Sequence, residues 1–510
     1  MARFVTTKAQ LSAYRLMIRR VEQAFTRRDV RLLASPFSGQ TISFCVGLFI
    51  ASLVVAIGFL QAYLSPRADQ NGASMVITKS GGYFVMYDDG TGLALHPVTN
   101  LASARLIVGK ADIPKVVKDD SLNKQPRGQL MGVPSGPNNL RTRDDDNAQW
   151  TVCDKNTDAA ELSLTKTQSL STTLFAGTDS LSPAVTDLTP NDAILIKSDG
   201  AAADRQWLIY NGERTSIDTQ DQATRAAINL TPAVAAKSVT ISKGLFNAIP
   251  AAPTLTAPYI ADRGRINPAL PDVLNGDVIV TSAADGTREY HVALQTGVQK
   301  INEFIAQLLQ NTGSKEIFTM SRQQLSTATF VSDIDISHYP DHAPTFRQPH
   351  VVCWSWTKGA RDLRAHATIK TGESLPIAPE NLKNVVRLLR STDPAATANL
   401  SYTAPGRGWF VRVTGAAPES HANEQLLYID DTGVRYFIGP DEQNKYDSTV
   451  HALGIGEHNP LPIPWSIAEL YAPGSTLSKG AALTVHVLLP DDLHQRAIPT
   501  ENQPTPGTIS

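Results

Sequence analysis

The densest group of residues able to do chemistry lies in "SDIDISHYPDHAP", which carries Asp333, Asp335, His338, Asp341 and His342. Carboxylates and imidazoles are the donors that hold divalent ions, yet this spacing fits neither a calcium loop nor a zinc helix motif. Ile334 and Ile336 alternate with the acids, so the stretch also reads as a strand with a solvent-facing acidic side. No metal site is assigned. A nucleotide would need G-x-x-x-x-G-K-[ST], whose amides and lysine hold phosphates. The nearest approach, "ASARLIVGKA", has Ala104 in place of the first glycine and Ala111 in place of Ser or Thr. It also lies at the end of an expected helix, not before one. The G-x-S-x-G elbow of serine hydrolases is absent. His96, next to Pro97, reads as a structural histidine. The chain therefore offers no catalytic residue and calls for no cofactor.

The cysteines say more. Cys153 in "WTVCD" and Cys353 in "VVCWSW" each sit in an apolar, tryptophan-flanked frame that reads as a strand, while Cys45 lies in an apolar run. If the first two are exported, an oxidising exterior favours a bond between them; two free buried thiols are the alternative.

The elements that position these residues follow from periodicity. Tyr83 to Tyr87 form an apolar run, Asp88-Asp89-Gly90 supplies turn chemistry, and Leu93, Leu95 and Val98 return as a second strand. From Asn100 the spacing becomes helical through Leu101, Ala104, Ile107 and Val108, with Asn100 as cap and Gly109 as stop. The same order recurs around Asn211-Gly212, with a helix expected over Ala223 to Leu230. Gly128, Leu130, Val133, Pro134 and Pro137 also match Gly244, Phe246, Ile249, Pro250 and Pro253 by count. Two weaker copies follow, at Arg288 to Gly313 and Leu426 to Ile455. The expectation is four hairpin-helix repeats over about 72–140, 194–255, 276–340 and 420–486. They surround a central domain built from about 141–193 and 345–419, and 491–510 form a polar, proline-rich, disordered tail. Each repeat is too small to bury its own faces and needs neighbours.

The chain has 510 residues and a net charge of -2, so no basic excess points to nucleic acid. Its charge is unevenly placed. Between Leu32 and Pro66 there is no Lys, Arg, Asp or Glu, and Ile42 to Leu64 give 23 mostly apolar residues, enough for one membrane span. The 41 residues ahead of it speak for a retained anchor and against a cleaved signal peptide. Arg3, Lys8, Arg15, Arg19, Arg20, Arg27, Arg28 and Arg31 precede the span, which leaves the N-terminus cytoplasmic and Met75 onward exported. Within residues 1–41, Leu11, Tyr14, Ile18, Val21 and Phe25 step by three and four and make one apolar stripe on a helix. That stripe suits either an anionic lipid surface or a groove on a partner, and periodicity alone does not choose.

Taken together, residues 6–36, the single span, "LHPVTNLASARLIVGK", "PRGQLMGVPSGP", the two cysteine frames and "LSKGAAL" resemble the EccB family. This is the membrane core component of type VII (ESX) secretion systems in mycobacteria and related actinobacteria. One departure, "PSGP" at Pro134 to Pro137, touches a turn. The resemblance implies an α+β fold: a cytoplasmic N-terminal helix, one transmembrane helix, and a large periplasmic domain of four repeats around a central one. It implies a disulfide carried by Cys153 and Cys353, assembly with EccC-, EccD- and EccE-like subunits, self-association, and an inner-membrane location. The expected function is that of a structural subunit of the secretion complex. An ATP hydrolase with a non-standard site and an envelope-binding repeat module are the rival classes.

Overall fold

The computed structural model describes residues 7–28, 38–64, 73–90, 92–156, 170–177, 181–200, 205–270, 272–282, 286–313, 317–359, 361–388, 397–457 and 459–487. The expected tail 491–510 and the flanks 29–37 and 65–72 lie outside them. The chain divides into two bodies, of which the first takes in the helices Lys8–Arg27 and Ser38–Leu64 and the short segment Val116–Ser121. Lys8–Arg27 opens with a capping box: Thr7 Oγ1 accepts from the Gln10 N–H at 3.4 Å, while Gln10 Oε1 accepts from the Thr7 N–H at 3.0 Å. It closes at Arg28, which takes a left-handed φ of 51°. The second helix, Ser38–Leu64, has 27 residues and no Lys, Arg, Asp or Glu in its sequence. Its described side chains cover 42–57, and among the described residues no helix is long and apolar enough to cross a membrane.

The second body is a mixed α and β structure built on a seven-stranded sheet. Its strands run in the order Val386–Arg387, Leu400–Tyr402, Leu170–Ala176, Asn147–Asn156, Val351–Gly359, His366–Gly372 and Val185–Asp187. Side chains on a strand alternate between faces, and here the two faces differ in kind. Ala148, Trp150 and Val152 face one side with Val352, Trp354 and Trp356, in the largest apolar cluster. Cys153 and Cys353 face the other with Phe175, Val351 and Tyr402.

Four smaller sheets complete the second body, of which the second and the fourth share the central sheet's apolar core. In the first, Met75–Thr78, Tyr83–Asp88 and Leu93–Val98 form an antiparallel meander, and Leu130–Met131 joins Leu93–Val98 in parallel. The expected hairpin and helix are there in detail. Asp88 Oδ1 accepts from the Gly90 and Gly92 N–H groups at 3.0 and 3.2 Å, Asn100 caps Leu101–Val108 at the Ser103 N–H, and Gly109 ends it at φ 75°. In the second sheet Asp192–Ser198, Gln206–Tyr210 and Glu213–Ile217 form the meander; after the helix Gln222–Ala227, Val239–Ile241 pairs in parallel with the first of them. The third repeats this order with Val278–Ser282, Arg288–Leu294, Gly297–Ile301, the helix Glu303–Asn311 and Ile317–Thr319. The fourth repeats it with Trp409–Thr414, Ala422–Ile429, Val434–Phe437, the helix Asp447–Leu453 and Leu461–Pro464.

These sheets bury their faces in pairs. Val85, Leu106 and Met131 of the first share a core with Tyr428, Tyr436 and Leu453 of the fourth. Leu208, Tyr210 and Ile228 of the second share one with Val292, Ile305 and Leu308 of the third. A hairpin with one helix has too little apolar surface to stand alone, and pairing supplies what it lacks.

Some sequence expectations change. Trp409–Thr414, placed in the central domain by position, is hydrogen-bonded to Ala422–Ile429 and so is the first strand of the fourth sheet. Thr345–Arg347 likewise pairs with Asp192–Ile194 of the second sheet. The helix expected to reach Leu230 stops at Ala227, because Asn229 takes a left-handed φ of 55°. The counted match of Gly128 with Gly244 does not join like structures. Gly244 and Phe246 lie in the helix Lys243–Ala248, whereas Gly128 precedes the strand Leu130–Met131. Gly128 is there because His96 packs flat on it: a Cβ would sit 2.3 Å from the imidazole.

Candidate functional site

The candidate metal residues are dispersed into separate structural tasks. Asp333 accepts from the Thr296 hydroxyl, and Asp335 Oδ1 closes a turn on the Ser337 N–H and hydroxyl at 2.9 and 2.6 Å. The His338 carbonyl accepts from Tyr210, and His342 Nδ1 lies 2.8 Å from Glu303 Oε2. The stretch is irregular backbone and not a strand. Gln299 holds it, accepting from the Asp333 and Ile334 N–H groups at 2.8 Å each and donating to Ile334 O at 2.7 Å. Ile334 and Ile336 do pack inward. Among the described residues no group of three or more His, Cys, Asp or Glu is placed to hold a metal ion.

The other chemical candidates resolve similarly. His96 is fully buried, with Nδ1 3.0 Å from Gln129 O and Nε2 3.9 Å from Asp89 Oδ2. Gly109 and Lys110 follow the C-terminus of Leu101–Val108. A phosphate needs the opposite end of a helix, where N–H groups point outward.

Cys153 and Cys353 are bonded, directly opposite one another on antiparallel strands with Cα atoms 4.0 Å apart. Both are fully buried. The bond joins the two sequence pieces of the central sheet across a separation of 200 residues.

Beside it stands a residue that the sequence reading missed. Asp154 is completely buried, accepting from the Ser242 N–H at 2.6 Å and the Ser242 hydroxyl at 3.0 Å. Ser242 in turn caps the helix Lys243–Ala248 at the Leu245 N–H, so the carboxyl ties the second sheet's unit to the central strand. The available signal was an acid at an inward position of an otherwise apolar alternating run. Burial pushes its pKa from 3.8 up to about 6, against the hydrogen bonds from Ser242 and Thr172, with Asp199 adding to the rise. Its proton is thus held more tightly in the folded than in the unfolded chain. The resulting stability is fully present below about pH 4 and is lost as the pH rises to about 6. At about 1.4 kcal/mol per pH decade the change is at most about 3 kcal/mol. Urea midpoints at pH 4, 5, 6 and 7 should therefore fall in the wild type and lose this component in Asp154→Asn. Parallel profiles in both would refute the assignment.

The N-terminal stripe is exposed. Leu11, Tyr14, Ile18, Val21 and Phe25 are 41 to 84% exposed, with Phe25 the most open, and the helix buries no residue at all.

Among the described residues the geometry offers mixed α and β sheets packed on one another and a helix, Lys8–Arg27, whose apolar side chains are exposed. A family model described as "Type VII secretion system ESX-1, transport TM domain B" matches residues 3–491. The chain belongs to the EccB family. Among curated relatives, "ESX-5 secretion system ATPase EccB5" of Mycobacterium tuberculosis H37Rv is 31% identical, covering 96% of this chain and 95% of its own. "ESX-3 secretion system ATPase EccB3" of Mycolicibacterium smegmatis is 34% identical, over 94% and 90%. Among solved structures, a chain of an intact ESX-5 inner membrane complex matches with a TM-score of 0.73 at 28% identity, over 98% of this chain and 99% of that one. The EccB3 dimer from the ESX-3 core complex matches at 0.69 and 33%, over 81% and 100%. The fold of the EccB-family chain is thus that of subunits seen inside such complexes.

Proposed function

We propose that this chain is a structural, membrane-anchored subunit of a type VII (ESX) secretion core complex and forms part of its periplasmic portion. The observation that carries this reading is the full-length match to a chain of an ESX-5 inner membrane complex. Residues 42–64 act as the single anchor: the absence of Lys, Arg, Asp and Glu between Leu32 and Pro66 and the basic N-terminal flank support a cytoplasmic N-terminus and an exported remainder. The shared strand order supports reading the four outer sheets as repeats around the central sheet, with the fourth beginning at Trp409. Several relatives carry the word ATPase in their names. We read this chain as non-enzymatic, because its closest approach to a phosphate-binding loop lies at a helix C-terminus.

Partners are a second copy and EccC-, EccD- and EccE-like subunits in the inner membrane, docked in part through the bare face of Lys8–Arg27. Docking into a groove depends on individual anchors, whereas adsorption to lipid depends on summed charge and area. Ile18→Ala and Phe25→Ala should each release the chain from co-purifying subunits while leaving it in the membrane fraction. Arg15→Gln with Arg19→Gln should do less. Retention of both alanine variants with loss of the charge variant would refute groove docking. A wild-type chain that purifies alone would instead refute the subunit assignment.

A further inference from the structure

An open cleft of about 930 Å³ lies where the first outer sheet's unit meets the fourth, lined by the helix Leu101–Val108 and by loops around 138–144, 406–407 and 454–457. Three arginines reach it from different elements. Arg141 and Arg407 sit on two loops that are tied together: the Gly408 N–H donates to Arg141 O at 2.7 Å, and the Arg143 N–H donates to Gly408 O at 2.9 Å. Asn139 Nδ2 adds a bond to Gly406 O at 2.8 Å, and the buried Tyr428 hydroxyl donates to Asn139 O at 3.0 Å. Both side chains are exposed, and among the described residues neither guanidinium has a hydrogen-bond or ion-pair partner. Arg105 comes from the helix, its Nη1 fixed on Leu453 O at 2.7 Å and its Nε buried without a partner.

Two cations without partners lining one cleft offer an anion there a favourable Coulomb interaction. A guanidinium fork matches the oxygens of a phosphoryl group, and the tied loops spare the backbone its share of the ordering cost of binding. We propose that this cleft binds the phosphoryl oxyanion of a ligand, with Arg141 and Arg407 as the fork donors and Arg105 as the fixed cation behind them. Asp144 and Glu457 line the same cleft, and Asp144 also lies with Arg407 in an adjoining hollow, so the three arginines outnumber the carboxylates by one.

The test uses the full chain in neutral detergent and phosphate-free buffer, titrated calorimetrically with inorganic pyrophosphate. Wild type should bind, and Arg141→Gln with Arg407→Gln should weaken binding at least tenfold. Lys383→Gln with Arg387→Gln, two exposed cations elsewhere, should leave it unchanged. An unshifted urea midpoint identifies the arginine variant as folded. Binding of short-chain phosphatidylglycerol that pyrophosphate displaces assigns the phosphate to a lipid headgroup; pyrophosphate binding indifferent to that lipid assigns it to a soluble phosphate ester. Absence of binding, or equal binding by wild type and the arginine variant, overturns the proposal.

Discussion

Replacing Cys153 and Cys353 together by alanine should lower the unfolding free energy by up to about 5 kcal/mol. The bond closes a loop of 200 residues, and closing so long a loop removes much of the unfolded chain's freedom. Local packing adds to this, since both sulfurs lie among Phe175, Val351 and Tyr402 with no exposure. The measurement compares urea midpoints of oxidised wild type, reduced wild type and the double alanine variant. The last two should fall together, well below the first. Coinciding midpoints for all three would sink the claim that the bond stabilises the fold.

Trp409→Ala should cost about 3–5 kcal/mol. Trp409 is only 1% exposed and stands on the first strand of the fourth outer sheet. Its ring meets Trp150 of the central sheet edge to face, with centroids 5.2 Å apart, while the Arg143 guanidinium lies 5.0 Å from its centre. Trp150 also donates from Nε1 to Pro462 O at 2.8 Å, so the two tryptophans fasten the fourth sheet to the central one. Truncation empties that joint and removes the aromatic contact with it. Trp465→Ala is the comparison, because that ring is 37% exposed and should cost clearly less. A Trp409→Ala variant within about 1 kcal/mol of wild type would show that the joint is not where the stability lies.

Elements whose instructions are local were legible in the sequence. The hairpin from Tyr83 to Val98 and the helix after it needed only the Asp88 turn, the Asn100 cap and the left-handed Gly109. The 3.6-residue stripe from Leu11 to Phe25 gave the N-terminal helix in the same way, and the apolar, tryptophan-flanked runs around the two cysteines gave the central strands. Those signals act over a few residues, where the backbone's own hydrogen bonds and torsions decide the outcome.

Tertiary structure alone decided what lies opposite what. Nothing near Trp409 says that its strand pairs with Ala422–Ile429, and nothing near Val485–His486 says that the chain's end returns to Leu130–Met131. The acids and histidines of 333–342 look like a ligand set until Gln299, Thr296, Glu303 and Tyr210 each claim a piece of the segment. Asp154 looks like a strand-end charge until Ser242, 88 residues away, is found hydrogen-bonded to it. Such pairings are set by which apolar faces can cover one another once distant segments have met. That is a property of the assembled core, and no local stretch of residues encodes it.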